Sequence, residues 1–264
     1  MPAELDTRWF DPARASLLAG ILTFLAFLLI NVLRTHRGGS VYIRPLPALQ
    51  ALDEAIGRAT EMGKPILYMP GLGDMSEVGT LASITIMGRV ARKVADLGCT
   101  MQVPCYDPIV MTIMDSVARQ AYRESGRPDD FPPGSIHYVS AQQFAYVAAV
   151  TGIMLRERPA ANIYMGSFYA ESLFLAETGN LTGAIQIAGT EKVTQLPFFV
   201  CACDYTLMGE ELFAASAYIG REPVQLATVA AQDWAKALAA ILIVVAFLLL
   251  MMGRPELALV LQKS

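Results

Sequence analysis

Three apolar patterns run along the chain, and each predicts a different element. The first is unbroken. Residues 15–33, ASLLAGILTFLAFLLINVL, carry no charge, and Asn31 is the only strongly polar side chain among them. As a helix this run covers about 28 Å, close to the hydrocarbon thickness of a bilayer. Arg14 and Arg34 bound it, and Arg34, His36 and Arg37 stand where a signal peptide would carry its cleavage site. It therefore reads as an uncleaved transmembrane helix. A second run, residues 237–252, is shorter. A helix that begins at Pro223 and continues through residue 252 places Trp234 and Lys236 at the membrane interface and stops at Gly253-Arg254-Pro255. A buried core helix is the other reading of this run.

The second and third patterns alternate between residues 38 and 222. Short apolar runs at 64–69, 100–103, 135–139, 162–165, 184–188 and 197–202 predict six buried strands. Helical periodicity covers 47–61, 74–97, 108–124, 141–156, 168–177 and 206–218. Strands that are apolar throughout and separated by helices predict a Rossmann-like α/β domain, with a mostly parallel sheet and helices on both faces. The expected organisation is a tail (1–14), a membrane helix (15–33), the α/β domain (38–222), a helix entering the second span (223–252) and a tail (253–264).

Composition agrees with this picture. Hydrophobic residues are 54% of the 264 and charged residues 17%, against about 45–50% and 25% in ordinary soluble domains. The net charge of −4 gives no pull toward nucleic acid, and the basic residues form no aromatic-interleaved patch. Four cysteines are too few for a disulfide scaffold. Arg34, Arg37 and Arg44 follow the first span with no acid among them, whereas Arg8 and Arg14 precede it beside Glu4, Asp6 and Asp11. The positive-inside bias then puts the central domain on the cytoplasmic side, where unpaired cysteines persist.

Ligands of open α/β sheets sit at the carboxyl ends of the strands. The predicted ends carry Gly71, Gly73, Asp74 and Glu77, then Asp107 beside Cys105, Ser140, Gly166, Ser167 and Glu171, Thr190 and Glu191, and Asp204 beside Cys203. This rim is rich in carboxylates and hydroxyls and poor in cations. The turn Pro70-Gly71-Leu72-Gly73-Asp74 offers backbone N–H groups to a phosphate, but Ser76 replaces the last glycine of GxGxxG and no Gly-Lys-Ser/Thr follows. The structural alternative is that the glycines make the turn and Asp74 caps the next helix. A faint echo relates Tyr68-Met69-Pro70-Gly71 to Tyr164-Met165-Gly166-Ser167, each leading to a helix with an early Glu. G-x-S-x-G is absent, and His137, the only histidine of the domain, falls within a strand. Cys201-x-Cys203 on one strand face, with Cys99 or Cys105, could hold a soft metal, but packing is the better reading. The carboxylates read as helix caps before they read as a cation site. No catalytic residue, metal site or cofactor is assigned.

The segment from Asp53 to Pro65, DEAIGRATEMGKP, followed by Pro70-Gly71, resembles an uncharacterised family of prokaryotic membrane-anchored proteins, a domain of unknown function. The resemblance extends over the central domain and both flanking helices. It implies no catalytic residues.

The helices decide the functional expectation. Residues 78–87 and 144–155 carry no charge, and 213–219 are similarly apolar. One sheet face cannot cover helices that are apolar nearly all round, so further burial against other subunits is expected. The expected function is a non-enzymatic, membrane-anchored scaffold that forms a homo-oligomer or builds onto a larger membrane complex. The alternative is a nucleotide or small molecule bound at the rim, with or without a divalent cation. Transport through the spans is weak, because Asn31 is not ionisable.

Overall fold

The computed structural model describes residues 15–36, 46–220 and 223–251. Both predicted tails lie outside the described residues, as do Arg37 and Arg44. Two units are present, α1 with α9 and the domain of residues 46–220.

In the first unit, α1 (Ala15–His36) and α9 (Pro223–Met251) are long and apolar enough to cross a membrane. They pack against each other, with Phe27 and Trp234 edge to face at 5.8 Å. Asn31 is buried and donates from Nδ2 to the Phe27 carbonyl at 2.9 Å, which satisfies its amide within its own helix. Leu17, Leu22, Leu25, Leu29, Ile243 and Phe247 point outward and are exposed.

The second unit is a six-stranded sheet in the order β3-β2-β1-β4-β5-β6, with every pairing parallel. Its strands are β1 (Ile66–Gly71), β2 (Met101–Cys105), β3 (Ile136–Tyr138), β4 (Ala161–Ser167), β5 (Ile185–Thr190) and β6 (Tyr205–Met208). The helices are α2 (Pro47–Met62), α3 (Val78–Leu97), α4 (Pro108–Glu124), α5 (Gln143–Glu157), α6 (Glu171–Thr182), α7 (Leu196–Ala202) and α8 (Glu210–Gly220). The chain builds outward from β1 to β3, crosses back to β4 beside β1, and builds outward again. Its direction therefore switches between β1 and β4.

Two cores follow from this topology. Ile66, Tyr68, Val103, Ile163, Met165 and Ile187 bury one face of the sheet beneath α2, α3, α4 and α8. Leu67, Met69, Tyr164 and Ala188 bury the other beneath α5, α6 and α7. The alternation of side chains along a strand splits neighbours such as Tyr68 and Met69 between the two. β1 and β4 are buried along their whole length, whereas β3 and β6 at the edges are partly exposed. The central strands are apolar throughout for that reason.

Local chemistry sets the element ends. Asp107 accepts from the N–H groups of Ile109 and Val110 at 2.8 and 2.9 Å, and Pro108 opens α4 with its φ already helical. The Tyr68 hydroxyl donates to the Ser83 carbonyl at 2.7 Å and ties α3 to β1; burial raises its pKa far above the usual tyrosine value.

Three expectations need correction. Helix α3 starts at Val78, not at residue 74, because Asp74 accepts from the Ser76 N–H and hydroxyl and closes a local turn instead of capping the helix. Residues 196–202 form α7 rather than a strand: Pro197 suits a first helical turn, and a short apolar run has no period that tells strand from helix. The sixth strand is instead residues 205–208, which the periodicity assigned to the start of a helix. Cysteine placement changes with it. Cys99 and Cys105 lie in the core under α3 and α4, while Cys203 packs against the core on the opposite face and Cys201 is exposed.

The tightest point of the sheet is the β1–β4 junction. Their register runs from Ile66↔Ala161 to Met69↔Tyr164, then slips to Gly71↔Ser167, so β4 holds one extra residue there. Gly166 sits at the slip with φ +129°, and a Cβ on it would run into the Pro70 carbonyl oxygen. Gly166→Ala should therefore lower stability by about 3 kcal/mol, from backbone strain and overlap together. Denaturant unfolding of the purified full chain in detergent measures this, with Gly57→Ala, inside α2 where nothing stands within 4 Å, as the control expected to gain up to about 1 kcal/mol.

Candidate functional site

The β1–β4 junction is the switch point of the sheet, where a doubly wound fold offers its ligand crevice. Here the two strands stay zipped past their ends. The Leu72 N–H donates to the Ser167 carbonyl at 2.8 Å, and a Cβ on Gly71, whose φ is +82°, would overlap that same carbonyl. Both glycines are explained by this approach of backbones.

Above the junction lies a compact polar cluster. β4 delivers the fully buried Ser167, the loop after it Tyr169, the N-cap of α3 Glu77, and the loop after β5 Glu191 and Lys192. The Ser167 hydroxyl donates to Glu191 Oε1 at 2.5 Å. Lys192 Nζ lies 2.8 Å from Glu77 Oε2 and 3.5 Å from Glu191 Oε1, so one ammonium bridges two carboxylates. The Tyr169 hydroxyl donates to Glu77 Oε1 at 2.8 Å, and Lys192 Nζ stands 5.4 Å from the centre of the Tyr169 ring. The Lys192 ammonium, with help from the Ser167 and Tyr169 hydroxyls, brings the Glu77 carboxyl down to about 2. Glu77 in turn raises the pKa of Lys192 and, by accepting its hydrogen bond, that of Tyr169.

The Glu191 carboxylate lies over the first turn of α3. A Cβ on Gly79, the second residue of that helix, would collide with it. A helix N-terminus carries unpaired N–H groups and a positive dipole end, so a carboxylate is favourable there. Chemically, the cluster can hold an anion against α3. Its cation position between Glu77 and Glu191 is taken by Lys192.

Of the residues expected at the rim, Gly71, Gly73, Glu77, Gly166 and Ser167 gather at this junction with Glu191. Asp74 stands in the turn beside them, exposed, with its carboxylate on Ser76. Asp107 and Ser140 lie farther along the rim, at the ends of β2 and β3. Asp107 caps α4, and the Ser140 hydroxyl accepts from the Gln142 N–H at 3.1 Å. Glu171 is fully buried at the start of α6, where it accepts from the Tyr169 N–H at 2.7 Å and from Gln143 Nε2 at 2.5 Å. Asp204 is on the opposite edge. It precedes β6 and accepts from the Gln186 N–H at 2.8 Å, at the amino ends of the strands. Its misplacement follows from the strand misread at 197–202.

Three residues of the cluster were missed. Lys192 directly follows Glu191, and reading one residue past the end of β5 finds it. Tyr169 follows Ser167 by two. Thr80, fully buried in the first turn of α3, gave no signal within an apolar run. The rim is poor in cations, as expected, but Lys192 stands between two of its carboxylates.

A doubly wound parallel α/β domain bearing a carboxylate–lysine cluster at its switch point, in a chain with two span-length apolar helices, is the class that fold and site define. Within it, the chain belongs to the family described as Domain of unknown function (DUF6754), whose model matches residues 5–259. No curated protein and no solved structure matches the chain.

The Glu77–Lys192 pair makes a pH prediction. A carboxyl whose folded pKa lies below its free value of 4.5 contributes stability above pH 4.5, and that contribution fades as pH falls toward about 2. Lys192→Met should therefore be less stable than the wild type at pH 6, and the gap should narrow by pH 3. Unfolding midpoints of both proteins at the two pH values check this, and a gap of constant size would count against the pairing.

Proposed function

We propose that the chain is a non-enzymatic assembly subunit, anchored in a membrane by α1 and α9, that self-associates through the outer face of α5, α6 and α7. The observation that carries this reading is the contrast between the two helical layers. The outer surface of α3 and α4 is charged, with Arg89 paired to Asp53 at 2.8 Å, Arg92 to Glu124, and Arg119 to Asp115 at 2.7 Å. On the other layer, Phe144 is 68% exposed, Leu155 56%, Phe174 51% and Leu181 78%, and Leu173, Phe198 and Val200 are exposed with them.

Single exposed apolar residues are ordinary, but a set shared by adjoining helices marks a contact surface. α5 carries no charge before Arg156, and α7 carries none. On α6 the exposed Glu177 stands among Leu173, Phe174 and Leu181, so a second copy meets this face mainly through α5 and α7, and two-fold pairing is the simplest closed arrangement. The excess of arginine after the first span favours a cytoplasmic domain.

The test is native mass spectrometry of the full chain extracted gently from its membranes. A homo-oligomer is expected, with Phe144→Glu and Phe174→Glu together reducing it to monomer at unchanged domain folding. A wild-type monomer at micromolar concentration overturns the reading. A fixed complex with other chains replaces self-association by hetero-assembly, and loss of lipid binding without change of mass assigns the face to the bilayer surface.

A further inference from the structure

We propose that the N-terminus of α3 is a phosphate site which the chain closes with its own Glu191, and that a phosphate-bearing ligand enters by displacing that carboxylate. The proposal is independent of the assembly reading.

Its first support is position. Glu191 lies over the opening turn of a 20-residue helix at the switch point of the sheet, where the helix end attracts anions. Gly79 clears the space, since any Cβ there would collide with the carboxylate.

The second support is incomplete satisfaction. Thr80 is fully buried in the same turn, and its hydroxyl has no hydrogen-bond partner among the described residues. That hydroxyl is aimed at Gly73, where a Cβ would overlap it and would also stand 3.0 Å from the Ser167 hydroxyl. Glu191 Oε2 is buried and unpartnered too. A buried hydroxyl left without a partner costs about 1–3 kcal/mol, so a site finished for a carboxylate would not keep one. A carboxylate has two oxygens in a plane. A phosphate presents three or four in a tetrahedron, enough to take the Ser167 and Thr80 hydroxyls, the Lys192 ammonium and the first α3 amides together.

Charge supports the same ligand. With Glu191 in place, two carboxylates face one ammonium. With Glu191 displaced, Glu77 and Lys192 neutralise each other and the helix end is left positive. Of the other acids nearby, Asp74 is exposed and closed on Ser76, and Glu171 is held by the Tyr169 N–H and Gln143. Glycine at 73 and 79 keeps side chains off the path by which a phosphate would reach the helix end.

The chemistry fits free phosphate or the phosphate of a monoester, and the experiment separates them. Inorganic phosphate and adenosine 5′-monophosphate are titrated by calorimetry into the full chain in detergent, as wild type, Glu191→Ala and Glu191→Ala with Thr80→Val. The expected result is weak binding by the wild type, at least tenfold tighter binding by Glu191→Ala, and loss of that gain in the double variant. Tighter monophosphate than phosphate would name an esterified ligand; equal affinity would name the free ion. If Glu191→Ala melts like the wild type yet binds phosphate no better, the proposal falls. If Glu191→Ala does not fold, Glu191→Gln removes the charge and keeps the shape, and unchanged phosphate affinity there overturns it as well. Acetate that binds Glu191→Ala as tightly as phosphate would likewise overturn it, because the site would then be a carboxylate clasp.

Discussion

The approach of two backbones, β1 at Gly71 and β4 at Gly166, is the constraint on which the rest of the domain depends. These strands join the two halves of a doubly wound sheet, and neither glycine can carry a Cβ without striking the other strand. The bulge in β4 lets pairing continue past the point where the strands of such sheets ordinarily part. Ser167 is thereby brought under the start of α3, within reach of the loop after β5. Glu191 then reaches the helix end across Gly79, and Lys192 reaches Glu77. A cluster drawn from β4, α3 and the β5 loop is possible because its floor is backbone and not side chain.

That floor explains why the site was only half legible. Turn glycines and the hydroxyl after a strand are visible in a sequence, and Gly71, Gly73, Gly166 and Ser167 were found by reading strand ends. Glu77 was read on the same strand end, although the helix it precedes was expected to start at Asp74. Asp107, Ser140 and Glu171 obey the same rule yet spend their polar atoms on caps and turns, a distinction that spacing does not carry. Asp204 was lost through one misread element. The apolar heptapeptide LPFFVCA folds as a helix that buries only Phe199, and the short edge strand after it is half exposed. By contrast, the bounds of α4 follow from Asp107 and Pro108 before it, and those of α2 from Pro47 and Gly63 around it, because capping chemistry is local.

The apolar composition divides in the same instructive way. Of the three uncharged helical stretches, residues 78–87 are mostly covered: Ala82, Ile86 and Met87 lie in the core, Ser83 meets Tyr68 of β1, Gly79 lies under Glu191 and Thr80 faces Gly73. In 213–219, Ala215, Ser216 and Ala217 are buried likewise. α5 differs. Tyr146, Val150 and Met154 fill the core, yet Phe144 and Leu155 still face outward. Two helices of ordinary size and the seven-residue α7 cover that side of the sheet, against four helices on the other. The uncharged stretch of α3 thus finds its cover within the domain, whereas α5 leaves Phe144 and Leu155 uncovered by any other element of it.

The apolar face and the rim cluster meet at one residue. Gln143 opens α5 beside Phe144 and donates to Glu171; Glu171 also accepts from the Tyr169 N–H; the Tyr169 hydroxyl donates to Glu77; and Glu77 holds Lys192. This chain of contacts runs from the outer helices to the helix end that Glu191 covers. Its members are not equally free to move. Tyr169 is exposed and Lys192 partly so, each on a flexible or pivoting side chain. Glu171 is fully buried and held by two donors, one of them backbone. Releasing it would strand a carboxylate in the interior, a far larger cost than turning Tyr169 or Lys192 toward water. Lys192 and Tyr169 can therefore turn at far less cost than Glu171, which fixes the end of this chain of contacts on the α5 side.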